Sequence, residues 1–134
     1  MSAEAALQKA FVAALKAHPG LSGIIAGRVY DRVPIDAPRP YVSLRDFSSN
    51  PFDADCMDSW EIFVGVDVWS EAVGKVEASR AASFVTDALH EVELPLDAPY
   101  VLIDLRMRSS VIGTEDDGIT TRARMTFVAQ VDLT

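Results

Sequence analysis

The chain has 134 residues, of which 49% are hydrophobic and 24% are charged, and this size and balance predict one folded domain and exclude two independent cores or a wholly disordered chain. The net charge of −8 disfavours a protein that grips nucleic acid, because such binding depends on basic side chains that neutralise phosphates. Cys56 is the only cysteine, which predicts a protein of the reducing cytoplasm without disulfides. We identify no signal peptide and no apolar run near the roughly 20 residues that a membrane helix needs, so we expect a soluble protein that does not enter membranes.

The first predicted element is an amphipathic helix at the N-terminus. Its apolar residues recur at helical spacing and are Ala3, Leu7, Ala10, Phe11, Ala14 and Leu15. Ser2 is a favourable N-cap for this helix, and Pro19 followed by Gly20 is predicted to stop it. One face of the helix is therefore expected to pack on a core.

The middle of the chain is predicted to form strands. Residues 27–44 contain a short strand, a rigid crossover with three prolines, and a strand that begins at Tyr41. Residues 48–59 are predicted to be a mobile loop, the longest irregular stretch of the chain. The strand over residues 60–69 is apolar on both faces, so we expect it to lie in the centre of a sheet and to be covered on both sides.

The C-terminal half is predicted to contain a helix from about Gly74 to Glu91 and then a β-hairpin. The buried stripe of the helix comprises Ala78, Ala81, Ala82, Val85, Ala88, Leu89 and Val92. The hairpin strands flank an acidic turn from Gly113 to Gly118. Their inward-facing residues are expected to be Val101, Ile103, Leu105 and Met107, and then Ile119, Ala123, Met125, Phe127, Ala129, Val131 and Leu133. The complete pattern predicts an α+β fold with a single antiparallel sheet of about four to five strands and two helices packed on one face.

Acidic side chains are concentrated in two segments. No basic residue lies between Arg45 and Lys75. The acids of the two segments are Asp46, Asp53, Asp55, Asp58, Glu61, Asp67 and Glu71, and then Glu115, Asp116 and Asp117. One interpretation is a solvated surface that keeps the protein in solution. The other is a functional electronegative rim, for example along a passage for DNA.

Basic side chains are concentrated on the outward face of the last hairpin, at Arg106, Arg108, Arg122 and Arg124. If Arg106 faces Arg124 and Arg108 faces Arg122, like charges oppose each other, which destabilises a sheet by roughly 0.2–1 kcal/mol per pair. Either solvent and salt compensate, or an acidic surface of a neighbouring copy does so. The second interpretation predicts an assembly that is sensitive to salt.

No group of residues matches a catalytic or cofactor-binding pattern. The acids from Asp53 to Asp58 do not fit a calcium loop, because its sixth and twelfth positions hold Asp58 and Val64 rather than Gly and Glu. Cys56 lies among acids, a poor setting for a nucleophile. His18 and His90 lie near predicted helix ends, where a structural role is typical. We therefore expect no enzyme activity, no metal and no cofactor.

Several short motifs resemble those of the tail-completion or tail-terminator family of long-tailed phages and gene transfer agents. They are the RVYDRVP segment at residues 28–34, Pro40-Tyr41, Val68-Trp69-Ser70, Gly74, Glu77-Ala78, the DALH segment at residues 87–90 and Asp117-Gly118. The resemblance extends from Leu7 to Val131 with the same order and spacing, and the ordered combination is more specific than any motif alone.

The resemblance implies a small structural subunit that closes into a ring, a hexamer, on the end of the tail tube. Such a ring stops polymerisation of the tube and joins it to the DNA-filled head, so the implied partners are other copies of the chain, the tail tube protein and a head-closure or connector protein. DNA only passes through, and the implied location is the neck end of the virion tail. The residues expected at interfaces are Arg106, Arg108, Arg122, Arg124, Asp53, Asp55 and Asp58, and those expected at an acidic lumen or rim are Glu115, Asp116 and Asp117.

Other functions also fit the sequence pattern. A head-closure or neck connector protein differs mainly in the half of the particle that carries it. A non-viral, dimeric α+β binding module would share the strand pattern without any particle. A small hydrolase is disfavoured because the catalytic groups are missing.

Overall fold

The computed structural model describes residues 2–54 and 57–134, and in them the chain forms one five-stranded sheet and three helices. The elements are α1 Ala3–Ala17, α2 Pro19–Ile25, β1 Val29–Tyr30, β2 Tyr41–Ala54, β3 Met57–Ser70, α3 Val76–Leu89, β4 Tyr100–Thr114 and β5 Thr121–Leu133. The strand order is β1-β2-β3-β5-β4. The β1–β2 pair is parallel and the other pairs are antiparallel. The predicted α+β class is confirmed.

The N-terminal helix forms as predicted and is followed by a short helix that was not predicted. The Oγ of Ser2 caps α1 by accepting a hydrogen bond from the backbone N–H of Ala5 at 3.0 Å. Pro19 ends the first helix but is also the first residue of α2, a position that suits proline because its missing N–H would be unpaired there anyway. The Nδ1 of His18 caps α2 by accepting from the backbone N–H of Leu21 at 3.2 Å.

The core lies between the three helices and one face of the sheet. The largest fully buried side chains include Phe11 of α1 and Phe127 of β5, whose rings meet edge to face with centroids 6.2 Å apart. The stripe predicted for α3 is buried in this core at Ala78, Ala81, Ala82, Val85 and Leu89, with Ala88 and Val92 packed at its margin. Burial of these apolar surfaces is the main favourable contribution to folding.

The central position predicted for residues 60–69 is confirmed, since β3 lies between β2 and β5. Covering on both sides is only partly realised. Ile62, Val64, Val66 and Val68 are buried under the helices, whereas the opposite face, which we call the open face, carries side chains of the sheet itself.

The prediction of a mobile loop at residues 48–59 is wrong. β2 and β3 form a continuous ladder from the pair Phe47 and Val64 to the pair Ala54 and Met57. The polar sequence and Pro51 obscured the strand. β1 pairs only with the start of β2, so this part of β2 is an edge, the position in a sheet where proline is tolerated. Asp55 and Cys56 lie outside the described residues.

The inward face of the last hairpin agrees with the prediction in its centre and differs at its ends. Ala123, Met125, Phe127, Ala129, Val131 and Leu105 are buried, and Met107 is partly buried. Val101 and Ile103 are 41% and 51% exposed, because a bulge between Leu102 and Asp104 shifts the alternation and turns Leu102 inward instead. Ile119, in the connecting turn, is 66% exposed and Leu133, at the end of β5, is also exposed, so all four of these predictions are wrong.

Candidate interaction surfaces

The open face carries a buried charge cluster that sequence reasoning missed. One carboxylate oxygen of Asp67 accepts a hydrogen bond from Nη1 of Arg45, and the other accepts from Nη2 of Arg122 at 2.7 Å. Asp67 is only 2% exposed, so this residue does not belong to the acidic rim predicted for it. The signal was present in the sequence: Asp67 lies between Val66 and Val68 in a central strand, and a buried acid needs a partner.

Aromatic and small residues complete this cluster. The guanidinium carbon of Arg122 lies 4.7 Å from the centroid of the Trp69 ring, whose Nε1 donates to the Oγ of Ser43 at 2.9 Å. Gly65 lies beneath Arg45, since a Cβ built on it would be 2.5 Å from the guanidinium carbon. The Nε of Arg122 is buried and has no hydrogen-bond partner within the described residues. The cluster thus holds Arg122 in place and leaves only 21% of its side chain exposed.

The prediction that arginines face each other across the last hairpin is wrong. Arg122 lies opposite Gly113 and Arg124 opposite Val111, while Arg106 lies opposite Val128. The position of the turn explains the difference. A hydrogen bond from the N–H of Glu115 to the carbonyl of Thr120 closes the turn, and a turn at this point lies closer to the C-terminus than one that would place Arg106 opposite Arg124. The compensating acids are in the same chain: Asp67 binds Arg122, and Asp104 pairs with Arg106 at 3.0 Å.

Arg108 and Arg124 are the other two predicted interface arginines. Both are exposed, and neither makes an ion pair with a carboxylate of the side chains that the structure describes, those of residues 2–52 and 58–134. The guanidinium carbon of Arg108 lies 5.4 Å from the centroid of the Phe63 ring on the open face. Of the four predicted arginines, Arg106, Arg108 and Arg124 therefore remain on the surface.

The acidic turn between β4 and β5 is organised by Asp117. Its Oδ1 accepts from the backbone N–H groups of Ile119 and Thr120, each at 2.8 Å, and its Oδ2 accepts from the Oγ1 of Thr120 at 2.7 Å. These bonds, led by the one from the backbone of Thr120, lower the pKa of Asp117 from 3.8 to about 2. Asp117 therefore holds the turn together, whereas Asp116 is exposed and Glu115 half-buried beside a shallow depression of about 250 Å³ that Arg39 also lines.

The third predicted group lies at the far end of the β2–β3 ladder. Asp53 is paired in register with Asp58, which is exposed. The side chain of Asp53 and all of Asp55 lie outside the described residues, so their predicted interface role stays a prediction. Nearby, the partly exposed Trp60 borders a cavity of about 460 Å³ that reaches the N-terminus of α1.

The remaining chemistry-bearing groups have structural partners. The Nδ1 of His90 accepts from the backbone N–H of Met107 at 3.0 Å, and His18 caps α2. Within the described residues, no group of three or more His, Cys, Asp or Glu side chains is arranged to hold a metal ion. In the same part of the chain, no helix is long and apolar enough to span a bilayer. The surfaces that stand out are therefore charged faces and strand edges.

The comparisons with known proteins identify the family. The family model of the tail completion protein gp17 matches residues 9–132. The chain belongs to this tail completion family. The resemblance seen in the sequence motifs is thereby confirmed. No curated protein matches the chain.

Two solved structures resemble this tail completion protein along nearly its whole length. A chain of the structure described as the virion of a native gene transfer agent particle is 26% identical, with a TM-score of 0.89 and 98% of both chains covered. The bacteriophage SPP1 gp17 protein is 28% identical, with a TM-score of 0.64, 95% of this chain and 89% of that chain covered. The protein is thus a tail completion protein of the phage and gene transfer agent type.

Proposed function

We propose that this protein closes into a ring, a hexamer, on the end of the tail tube that faces the head. The ring stops polymerisation of the tube and provides the surface to which the head is joined. The observation that carries this proposal is the likeness, over 98% of both chains, to a chain within a gene transfer agent virion. Membership in the tail completion family supports the same role in a particle.

The surface of the subunit is compatible with a ring. A head-to-tail ring requires two different patches on each subunit, because each copy uses one patch for the preceding neighbour and another for the following one. The chain offers basic residues on the β4–β5 side and acids near the end of the β2–β3 ladder, exemplified by Arg108 and Asp58. These patches fit a subunit whose work is association and needs no catalysis.

The partners follow from the position at the neck end of the virion tail. They are the tail tube protein on one side and a head-closure or connector protein on the other, with assembly in the host cytoplasm. DNA passes through the ring without specific binding, which the net charge of −8 favours because an acidic wall does not hold phosphates. Glu115 and Asp116 are proposed to contribute to that acidic rim, with Asp117 fixing the turn on which they lie.

Deletion of the gene in the particle that encodes it tests this function. Loss of the subunit is expected to give overlong or unjoinable tails together with DNA-filled heads, seen by electron microscopy, because the tube has no stop and the head has no surface to join. A plasmid copy of the wild-type gene is the control and should restore normal particles.

Two outcomes would contradict the proposal. Normal particles after deletion would remove the protein from tail completion. Heads that leak their DNA, with tails of normal length, would instead assign the protein to head closure. In solution, size exclusion with light scattering would show whether the subunit forms rings before it meets the tube.

A further inference from the structure

We propose that neighbouring copies join through a knob and a groove that lie at the two ends of the strand order. The knob is Ile35, in the crossover between β1 and β2, and the groove lies between β4 and the segment that follows α3. This inference rests on the ring proposed above and adds an apolar contact to the charged patches named there.

The knob is a fully exposed aliphatic side chain on a constrained loop. Ile35 has a relative exposure of 101% and lies in the crossover of residues 31–40, which joins β1 to β2. Three prolines restrict the backbone of the crossover, and the N–H of Ala37 donates to the carbonyl of Pro34 at 3.2 Å. A constrained loop loses little conformational entropy on binding, so Ile35 is suited to insertion into a neighbour.

The groove lies at the other end of the strand order, beside β4. It has a volume of about 550 Å³ between β4 and residues 92–96. Its aliphatic lining consists of Val92, Leu94, Leu96, Val101, Leu102 and Ile103. Val101 and Ile103 are 41% and 51% exposed, so part of this apolar surface is uncovered in the single chain. Exposed apolar surface of this kind marks an interaction site, and a single aliphatic side chain can anchor an interface by filling such a groove.

Hydrogen bonds hold the groove in shape before a neighbour arrives. At one end the N–H of Glu91 donates to the carbonyl of Leu105 at 2.8 Å, and at the other the N–H of Tyr100 donates to the carbonyl of Asp97 at 3.1 Å. Residues 92–96 therefore run between two attached points. The junction uses the side chains of this groove and needs no free backbone edge on β4.

The two ends of the strand order carry opposite charge. Residues 28–45, which include the crossover, hold four arginines and two aspartates. Residues 81–105, which include the groove, hold five acidic residues and neither lysine nor arginine. Opposite charge favours contact between unlike ends of two copies and disfavours contact between like ends. The occupant of the groove is therefore the crossover of a second copy, and such a heterologous contact repeats around a ring.

Arg32 and Glu93 supply an ion pair at this junction. Arg32 precedes Ile35 by three residues in the crossover, and Glu93 lines the groove. Both are exposed, and neither makes an ion pair with another described side chain, those of residues 2–52 and 58–134. Insertion of Ile35 brings the Arg32 guanidinium to the rim that carries Glu93, which sets the register of the contact.

Charge reversal in the deletion background tests the junction. Arg32→Glu and Glu93→Arg, each alone, are expected to lower the yield of particles with normal tails by about tenfold or more, because like charges then meet at every junction. Production of both single variants in one cell should restore the yield, since alternating copies in the proposed hexamer recreate an opposite-charge pair at each junction. The double variant in one chain should restore it as well.

A matched control separates the junction from folding and from the general charge of the surface. Arg80→Glu reverses another exposed arginine, on α3, and should leave the yield unchanged. Thermal melts of the purified single variants should match wild type, because Arg32 and Glu93 are exposed and have no ion pair to lose among the described side chains.

A covalent crosslink tests the apolar contact directly. In a Cys56→Ser background, Ile35→Cys plus Ile103→Cys treated with a short bismaleimide should give a ladder of multimers from particles. Val73→Cys plus Ile103→Cys is the matched control and should give none. Val73 is as exposed as Ile35, at 103%, but lies between β3 and α3.

The outcomes for the junction and for the ring are distinct. Single charge variants with wild-type yield, no rescue by co-production, or no ladder from the Ile35→Cys plus Ile103→Cys chain would overturn the knob and groove while leaving the ring intact. Particles in which the chain forms no multimer with any crosslinker would overturn the ring itself.

Discussion

Asp67 determines how the open face of the sheet is organised at the scale of single residues. It is buried in the central strand and binds one arginine from β2 and another from β5, so three neighbouring strands are connected by one carboxylate. Removing one partner from a buried charge cluster is costly, because the remaining charges are left without compensation in a poorly solvated site.

Asp67→Ala is expected to lower the free energy of unfolding by about 3 kcal/mol, because Arg45 and Arg122 would both lose their buried carboxylate. Urea unfolding of the purified protein measures this. Asp46→Ala is the matched control: it also removes an acid near Arg45, but an exposed one, and should change the free energy by less than about 0.5 kcal/mol. Equal effects of the two substitutions would contradict the role given to the cluster.

Asp117 gives the β4–β5 turn a dependence on pH. Its pKa is lowered from 3.8 to about 2 by the hydrogen bonds from Thr120 and Ile119. A lowered folded-state pKa means that the carboxylate stabilises the fold above pH 3.8 and that this contribution is lost as the pH falls toward 2.

Asp117→Ala should therefore lower the melting temperature at neutral pH, and the difference from wild type should shrink between pH 3.8 and about 2. Melting curves over that range test this, and an NMR titration should place the Asp117 carboxyl midpoint near 2. Asp116→Ala, a change of the exposed neighbour, should not reproduce the pH-dependent difference. A midpoint for Asp117 near the ordinary value of 3.8 would contradict the geometry of the turn.

At the scale of elements, the short helix α2 packs against α3 through a glycine. A Cβ built on Gly20 would lie 2.8 Å from Cε1 of Phe84. The ring also packs on His18, with centroids 5.3 Å apart, so a shift away from the added methyl group would disturb that contact. Gly23 in the same helix has nothing within 4 Å of such a Cβ among the described residues, so the two glycines differ in packing and share the same helix.

Alanine substitutions at these two positions should have opposite signs. Gly23→Ala is expected to stabilise the protein by about 0.5–1 kcal/mol, because alanine loses less backbone entropy in a helix. Gly20→Ala should destabilise it by about 1 kcal/mol or more, because overpacking against Phe84 outweighs the same gain. Chemical denaturation of both variants compares them directly. Stabilisation by both substitutions would contradict the close packing of Gly20 on the Phe84 ring.

At the scale of the whole molecule, the sheet leaves the outer part of β2 as an open edge in an isolated copy, because β1 pairs with β2 only at Val42 and Ser43. The edge of β4 is partly covered by the chain that follows α3, since the N–H of Glu91 donates to the carbonyl of Leu105 and the N–H of Met107 donates to Nδ1 of His90. On the open face, Arg39 of the proline-rich crossover lies over the ring of Tyr41. An open strand edge presents unpaired backbone groups to other chains, so the outer part of β2 is a surface that the proposed ring would help to cover.

The sequence by itself determined the elements whose signals are local. Helical spacing and a capping serine defined α1, small residues defined the buried stripe of α3, and period-two alternation located β3 and the centre of the last hairpin. The family motifs are also local, so the sequence alone predicted the tail completion family.

Tertiary structure decided what depends on the position of one strand relative to another. A bulge between Leu102 and Asp104 turned Val101 and Ile103 outward, and the register of the hairpin separated arginines that were predicted to face each other. The pairing of Asp67 with Arg45 and Arg122 joins residues from three strands. Such contacts follow from register, and a shift of one residue moves a side chain to the opposite face of the sheet, so no local pattern in the chain specifies them.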